Sequence, residues 1–153
     1  MRKVSAIVCI GLFLAPGVVY AQDNAVKKES EKFQGTWRLV SSEEDAQPTA
    51  DFIDENLKIV IKGNQVSLKD VEAIVKQFGK VTITIDPSTN PKIIDFKIVA
   101  GTEKDKTFEG IYEMKDDRLK ICVSNRSGGN RPDDFKTAAG SNRLLVVLKR
   151  EGK

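Results

Sequence analysis

Leu144-Leu145-Val146-Val147-Leu148-Lys149-Arg150 is the last apolar run of the 153-residue chain, and its reading decides the fold. Successive side chains of a strand point to opposite faces, so Leu144, Val146 and Leu148 share one face and Arg150 falls on it by parity. The sole tryptophan stands in Gly35-Thr36-Trp37, where a charged lead-in gives way to alternating sequence. If the first and last strands meet, the Arg150 guanidinium lies across the Trp37 indole, a cation–π contact worth about 0.5 to 2 kcal/mol. Gly35 then lets the entering chain pass close to that pair. Joining the two ends in this way predicts a sheet closed on itself.

Working outward, the period stays at two. Leu57, Ile59 and Ile61 alternate with Lys58 and Lys62, and Gly63-Asn64 supplies a two-residue turn before Val66 and Leu68. Val81, Ile83 and Ile85 alternate with threonines until Asp86-Pro87, and Ile94, Phe96 and Ile98 resume after Pro91. Phe108, Gly110, Tyr112 and Met114 share a face, Asp116-Asp117 marks a turn, and Leu119, Ile121 and Val123 begin the return. Residues 125–142, rich in Gly, Asn, Arg and Asp, read as the longest loop. Residues 69–79 carry two periods: Val71, Ile74, Val75 and Phe78 fall at helical spacing, while Val71, Ala73 and Val75 alternate. The β-rich neighbours and short connections weigh toward a strand with a bulge there. The count is about eight antiparallel strands in an all-β domain spanning residues 34–150, with residues 22–33 as a short N-terminal helical lead-in. Such a sheet must close into a barrel or split into a sandwich to hide its edges.

Arg2 and Lys3 precede a mostly apolar stretch, Val4 to Val19, that Val19-Tyr20-Ala21 ends with a small residue. The stretch is short for a membrane span of about 20 residues, and Pro16-Gly17 suits the end of an export signal. Residues 1–21 are therefore expected to be a signal peptide, the alternative being an uncleaved anchor, and the protein is expected in the periplasm or outside the cell with no stable membrane span after cleavage. Cys9 follows Val8 inside the apolar run, where a lipoprotein signal would need a small residue. Removing 21 residues leaves 132, enough for one core without disulfides or a structural metal. It also takes the 25 basic side chains to 23 against 22 acidic ones, which gives no basic excess to hold nucleic acid. With no histidine, imidazole-based catalysis and imidazole zinc sites are excluded. No cofactor or metal is expected.

Several motifs recur together. Asp86-Pro87 with Pro91-Lys92-Ile93-Ile94-Asp95, Gly110-Ile111-Tyr112-Glu113, Asp117-x-Leu119-x-Ile121-Cys122, Arg131-Pro132-x-x-Phe135 and Val147-Leu148-Lys149-Arg150 follow in this order. With Gly35-x-Trp37 and the closing Arg150 this resembles the lipocalin-like superfamily. More narrowly, it is similar to a family of small exported lipocalin-like domains, numerous in planctomycetes, to which no reaction is attached. The resemblance covers Gln34 to Arg150 and implies an eight-stranded lipocalin-like barrel and an envelope or extracellular setting. One departure stands out: Glu43-Glu44-Asp45-Ala46 follows the first strand where the resemblance implies a Gly-containing turn.

Eight strands enclose either a filled core or space for one small ligand. The inward candidates Trp37, Leu39, Ile59, Ile83, Phe96, Phe108, Tyr112 and Ile121 are bulky, which weighs toward filling. If a pocket exists, it is expected near Tyr112, Cys122, Arg131 and Phe135, with the 125–142 loop over one mouth and the Arg131 guanidinium facing an anionic head group. The blander reading pairs Arg131 with Asp133 or Asp134. Cys122, between Ile121 and Val123, is either a buried packing thiol or a reactive one. Asp116-Asp117 and Asp133-Asp134 are the visible carboxylate pairs, and adjacent acids in turns are usually solvated turn formers, so no catalytic residue is assigned. Asn125-Arg126-Ser127 also matches the N-glycosylation acceptor pattern. Two functions remain: a non-catalytic carrier or sensor of a small apolar molecule, and a cell-envelope interaction module with a filled core and an unidentified protein partner.

Overall fold

The structure, a computed structural model, describes residues 17–49 and 57–152. Helix α1 (Gly17–Glu31) leads into β1 (Gly35–Glu44), and a two-residue strand β2 (Gln47–Pro48) folds back on the end of β1. There follow β3 (Lys58–Lys62), β4 (Gln65–Lys69), α2 (Glu72–Phe78), β5 (Lys80–Asp86), β6 (Lys92–Ala100), β7 (Thr107–Lys115), β8 (Arg118–Ser124) and β9 (Arg143–Arg150). β3 pairs with β1, from there on each strand pairs antiparallel with the next in sequence, and β9 returns to pair with β1. Setting β2 aside, eight strands form a closed antiparallel barrel, so the two edges that an open sheet would expose are joined. The expected signal lies outside the described residues as far as residue 16. Among the described residues no helix is long and apolar enough to cross a membrane.

The seam is set by register. Trp37 stands opposite Arg150 and Leu39 opposite Leu148, then a bulge at Val40 shifts the pairing so that Ser41 faces Val147. The guanidinium carbon of Arg150 stands 4.1 Å from the Trp37 ring centroid. Its two terminal nitrogens donate to the carbonyls of Gln34 and Lys32, and the indole N–H donates to the Phe33 carbonyl at 2.8 Å. Gly35 holds φ +119°, and a Cβ there would come within 3.2 Å of Arg150 Nη1, so both backbone and space favour glycine.

One segment differs from the sequence expectation. Residues 72–78 form α2 rather than a bulged strand. Sequence favoured a strand on the ground that no helical crossover would fit, yet α2 is no crossover, because it joins two adjacent antiparallel strands. β4 and β5 pair over only three residue pairs, Gln65–Thr82, Val66–Val81 and Ser67–Lys80, and α2 spans their diverging ends. Gly79, at φ +47°, stops the helix with its N–H on the Val75 carbonyl, and a Cβ there would strike the Ala100 carbonyl at 2.6 Å. The 101–106 loop is tied to the helix end by Glu103 N–H on the Gln77 carbonyl, 3.2 Å.

Candidate functional site

The barrel has two unlike ends. At the floor α1 closes the cylinder: Phe33 is buried, its ring edge-on to Tyr112 at 5.0 Å, and Trp37 is fully excluded from solvent. Glu29, almost fully buried, takes Lys32 Nζ at 2.7 Å, with Lys92 Nζ on its other oxygen and the Tyr112 hydroxyl at 3.4 Å. Burial pushes the Glu29 carboxyl up, but the hydrogen bonds from Lys32 and Lys92 outweigh it and hold the group below its usual range. Burial, with Glu29 beside it, raises the Tyr112 phenol well above the ordinary range, so it remains a neutral donor.

Above this floor the interior is not filled. A cavity of about 300 Å³ runs from Phe33 to the opposite end, walled by residues such as Ile61, Ile83, Ile94 and Leu148. Ile59, Leu68, Phe96 and Val123 also line it, as do Phe78 of α2 and Phe108 of β7. Bulky inward residues weighed toward a solid core; the barrel's circumference leaves more volume than they fill. Ser124 and Asn125, where β8 runs out, are the polar residues on this lining. Ser124 Oγ is committed locally, donating to the Arg126 carbonyl at 3.1 Å and accepting the Arg126 N–H at 3.3 Å. Asn125 Nδ2 donates to Glu44 Oε1, and its Oδ1 is buried with no hydrogen-bond partner. The Asn125 amide that would accept a glycan is thus already engaged.

The four residues expected around a pocket do not meet at it. Tyr112 points inward but belongs to the floor cluster with Phe33 and Glu29. Cys122 is fully buried on the other side of the wall: Ile121 faces the interior, so its neighbour faces out. There Cys122 and Ile111 stand opposite each other across β7 and β8, outside the interior core, under a strap made by the 125–142 loop. Burial raises the thiol pKa, which suits a packing role. Arg131 lies on the same outer face, bonding Asp95 of β6 at 2.5 and 3.2 Å, Glu109 of β7 at 3.3 Å and the Gly110 carbonyl at 2.8 Å. Its hydrogen bond to Asp95 holds the guanidinium pKa above its usual value. Asp133 and Asp134, the partners sequence offered to Arg131, are taken by Arg143 at 2.7 and 2.9 Å. Pro132 is buried, and Phe135 sits beneath Lys120, whose ammonium is 5.0 Å from the ring centroid. The loop is therefore a strap along the outer wall and not a cover over one mouth.

The fold and cavity define a closed antiparallel barrel with an apolar interior. No protein-family model matches the chain, and no curated protein matches it. Among solved structures it is similar to a mutant of the fluorescent protein UnaG, at 13% identity and a TM-score of 0.36, over 80% of this chain and 99% of that one.

Proposed function

We propose that this protein is a non-catalytic carrier or sensor that takes one small apolar molecule into the barrel. The observation that carries the reading is the cavity of about 300 Å³ walled almost wholly by aliphatic and aromatic side chains. That volume is at the lower bound of ligand sites, roughly 300 to 1,000 Å³, and suits one or two fused rings or a short aliphatic chain. Burying such a molecule releases its apolar surface from water at about 25 cal/mol per Å², with no demand on the wall for charge. The visible carboxylate pairs lie elsewhere: Asp133 and Asp134 hold Arg143 on the strap, and Asp117 faces Lys149 at the β7–β8 turn. The proposed setting is the periplasm or the cell exterior, supported by Arg2, Lys3 and the apolar run that ends at Ala21. Sequencing of the mature N-terminus from the native host, expected to begin at Gln22, tests that part.

Titration with one- and two-ring aromatic hydrocarbons, read by methyl NMR, tests the binding. Saturable shifts are expected at Ile59, Ile121 and Val123, which line the cavity, and none at Ile111 on the outer wall. A panel that moves none of these methyls would leave the envelope interaction module as the better reading.

A further inference from the structure

We propose that the outer wall of the barrel binds a linear acidic polysaccharide along a cross-strand row of six basic side chains: Lys115, Arg118, Lys149, Arg38, Lys58 and Lys69. Each stands directly opposite the next: Lys115 of β7 faces Arg118 of β8, which faces Lys149 of β9, which faces Arg38 of β1. Arg38 in turn faces Lys58 of β3, and Lys58 faces Lys69 of β4. Their chain neighbours Met114, Leu119, Leu148, Leu39, Ile59 and Leu68 pack into the interior core, so all six basic side chains point outward. Five are exposed and Lys149 is partly so. With strands about 4.8 Å apart, the row runs roughly 24 Å along the wall. It passes over six consecutive strands of the closed barrel.

The fold does not require this arrangement. Alternation asks only for polar residues outside, and like charges directly opposite one another destabilise a sheet. One step along the same hairpin Glu113 faces Lys120, the opposite-sign pairing that sheets favour. The chain carries 25 basic and 22 acidic side chains, so six cations in succession are a segregation of charge and not its average. Acids stand only at the margins among the described residues: Asp70 is 3.5 Å from Lys58 and Asp117 is 3.8 Å from Lys149. Such half-exposed pairs are weak and yield readily to a polyanion. Shape then selects the partner. The row follows a convex wall, so a flat lipid surface would meet only the few strands facing it, whereas a flexible chain can wrap the whole row. Single-stranded nucleic acid could also bend, but it is held through aromatic stacking as well as charge. No row position is aromatic, and Phe135 of the outer strap lies beneath Lys120. A polysaccharide with a carboxylate or sulfate at regular intervals needs only the cations, and the forks of Arg38 and Arg118 suit either group. The surface lies outside the barrel, so binding there does not depend on the cavity.

The test measures affinity of the purified protein, by calorimetry at low and physiological salt, for four probes: oligogalacturonate, heparin, oligothymidylate and phosphatidylglycerol vesicles. Oligogalacturonate or heparin is expected to bind most tightly, with affinity falling steeply as salt rises, and the stronger of the two identifies carboxylate or sulfate as the group preferred. Arg38→Gln combined with Lys58→Gln, at the centre of the row, is expected to weaken that binding at least about tenfold. Its urea midpoint is expected to stay level or rise, because like charges have been separated. Lys97→Gln combined with Lys104→Gln removes the same charge from exposed positions on β6 and the 101–106 loop, and is expected to change affinity by no more than about threefold. Equal losses in the two double variants would reduce the effect to net charge and overturn the row. Tighter binding of oligothymidylate or of the vesicles would overturn the choice of partner, and no binding of either polysaccharide at low salt would overturn the proposal outright. Should the central variant not fold, Lys115→Gln combined with Arg118→Gln is read in its place, with the same tenfold loss expected.

Discussion

Arg150 and Trp37 are direct partners across the β1–β9 seam, and the guanidinium that covers the indole also bonds two carbonyls of the chain entering the barrel. One side chain thus joins the last strand, the first strand and the turn between α1 and β1. Replacing it by methionine keeps the apolar stem but leaves the Gln34 and Lys32 carbonyls without their donor. Arg150→Met is expected to destabilise the fold by about 2 to 3 kcal/mol, and Arg150→Lys by less, since one ammonium cannot bridge both acceptors. Urea unfolding followed by the fluorescence of Trp37, the only tryptophan, measures both. A loss below about 0.5 kcal/mol for Arg150→Met would show that the contact is incidental.

The β1–β2 turn carries a different strain. Asp45 and Ala46 both have positive φ, +49° and +65°, in the two-residue turn between Glu44 and Gln47. Left-handed backbone costs an ordinary L residue about 1 kcal/mol or more, and alanine has no side-chain polar group to offset it. This is the place where the resemblance implied a Gly-containing turn. Ala46 is exposed, so Ala46→Gly removes no packing and is expected to raise stability by about 0.5 to 1 kcal/mol, visible as a higher Tm. An unchanged or lower Tm would mean that the gain in unfolded-chain entropy cancels the relief.

What the sequence disclosed is what period and parity carry. Alternation located the barrel strands, and even spacing put Arg150 on the face of Leu148, hence within reach of Trp37. Parity also held a warning: with Ile121 inside, Cys122 belongs outside, so Tyr112 and Cys122 were never able to line one pocket. Arg131 escaped because its partners Asp95 and Glu109 sit far from it in sequence, set opposite each other by the register of β6 and β7. Residues 71–78 satisfy two periods at once, and the short β4–β5 pairing that makes room for a helix is a tertiary fact. Cavity volume was illegible for a related reason, since barrel radius follows from strand number and shear and not from any local stretch. Asn125 carried a visible signal as a glycan acceptor motif, but its orphaned oxygen depends on Glu44, far away in sequence.

The strap predicts how Cys122 behaves. The thiol is fully buried and its pKa is raised by that burial, so both access and thiolate fraction oppose reaction. Arg131 fastens the strap to β6 and β7, and Arg131→Ala leaves Asp95 and Glu109 close together without their cation. Native protein is expected to react with a thiol reagent only slowly, and Arg131→Ala to react at least about tenfold faster through local opening. Mass spectrometry of the labelled protein over time checks this, and equal rates would show that the strap does not depend on Arg131.

The floor cluster predicts an acid limb. Glu29 has a folded-state pKa below its ordinary value of 4.5, so its pairing contributes fully above that value and is lost as pH falls through the depressed folded pKa. Glu29→Gln keeps the shape, cannot ionise and leaves Lys92 and Lys32 unpaired at the floor. The variant is expected to be less stable than the wild type at neutral pH, with the difference shrinking steadily below about pH 4.5. Urea midpoints measured from pH 7 to pH 3 give both curves. A difference that stayed constant through the acid range would mean that Glu29 acts through packing alone.

Filling the cavity separates its role in binding from any role in folding. Val146 lies on the cavity wall and is partly buried, opposite Ile121 of β8 and Ser42 of β1. A phenylalanine there projects its ring into space that is already open, so Val146→Phe is expected to change stability by no more than about 1 to 3 kcal/mol while abolishing the binding of two-ring probes. In an already solid core the same ring would have to displace neighbours, and the variant would be strained toward the upper end of that range or fail to fold. Unfolding midpoint and probe titration on one preparation therefore distinguish the two interiors. A stable Val146→Phe that still binds the probes would place their site outside the barrel, and the carrier reading would have to be given up.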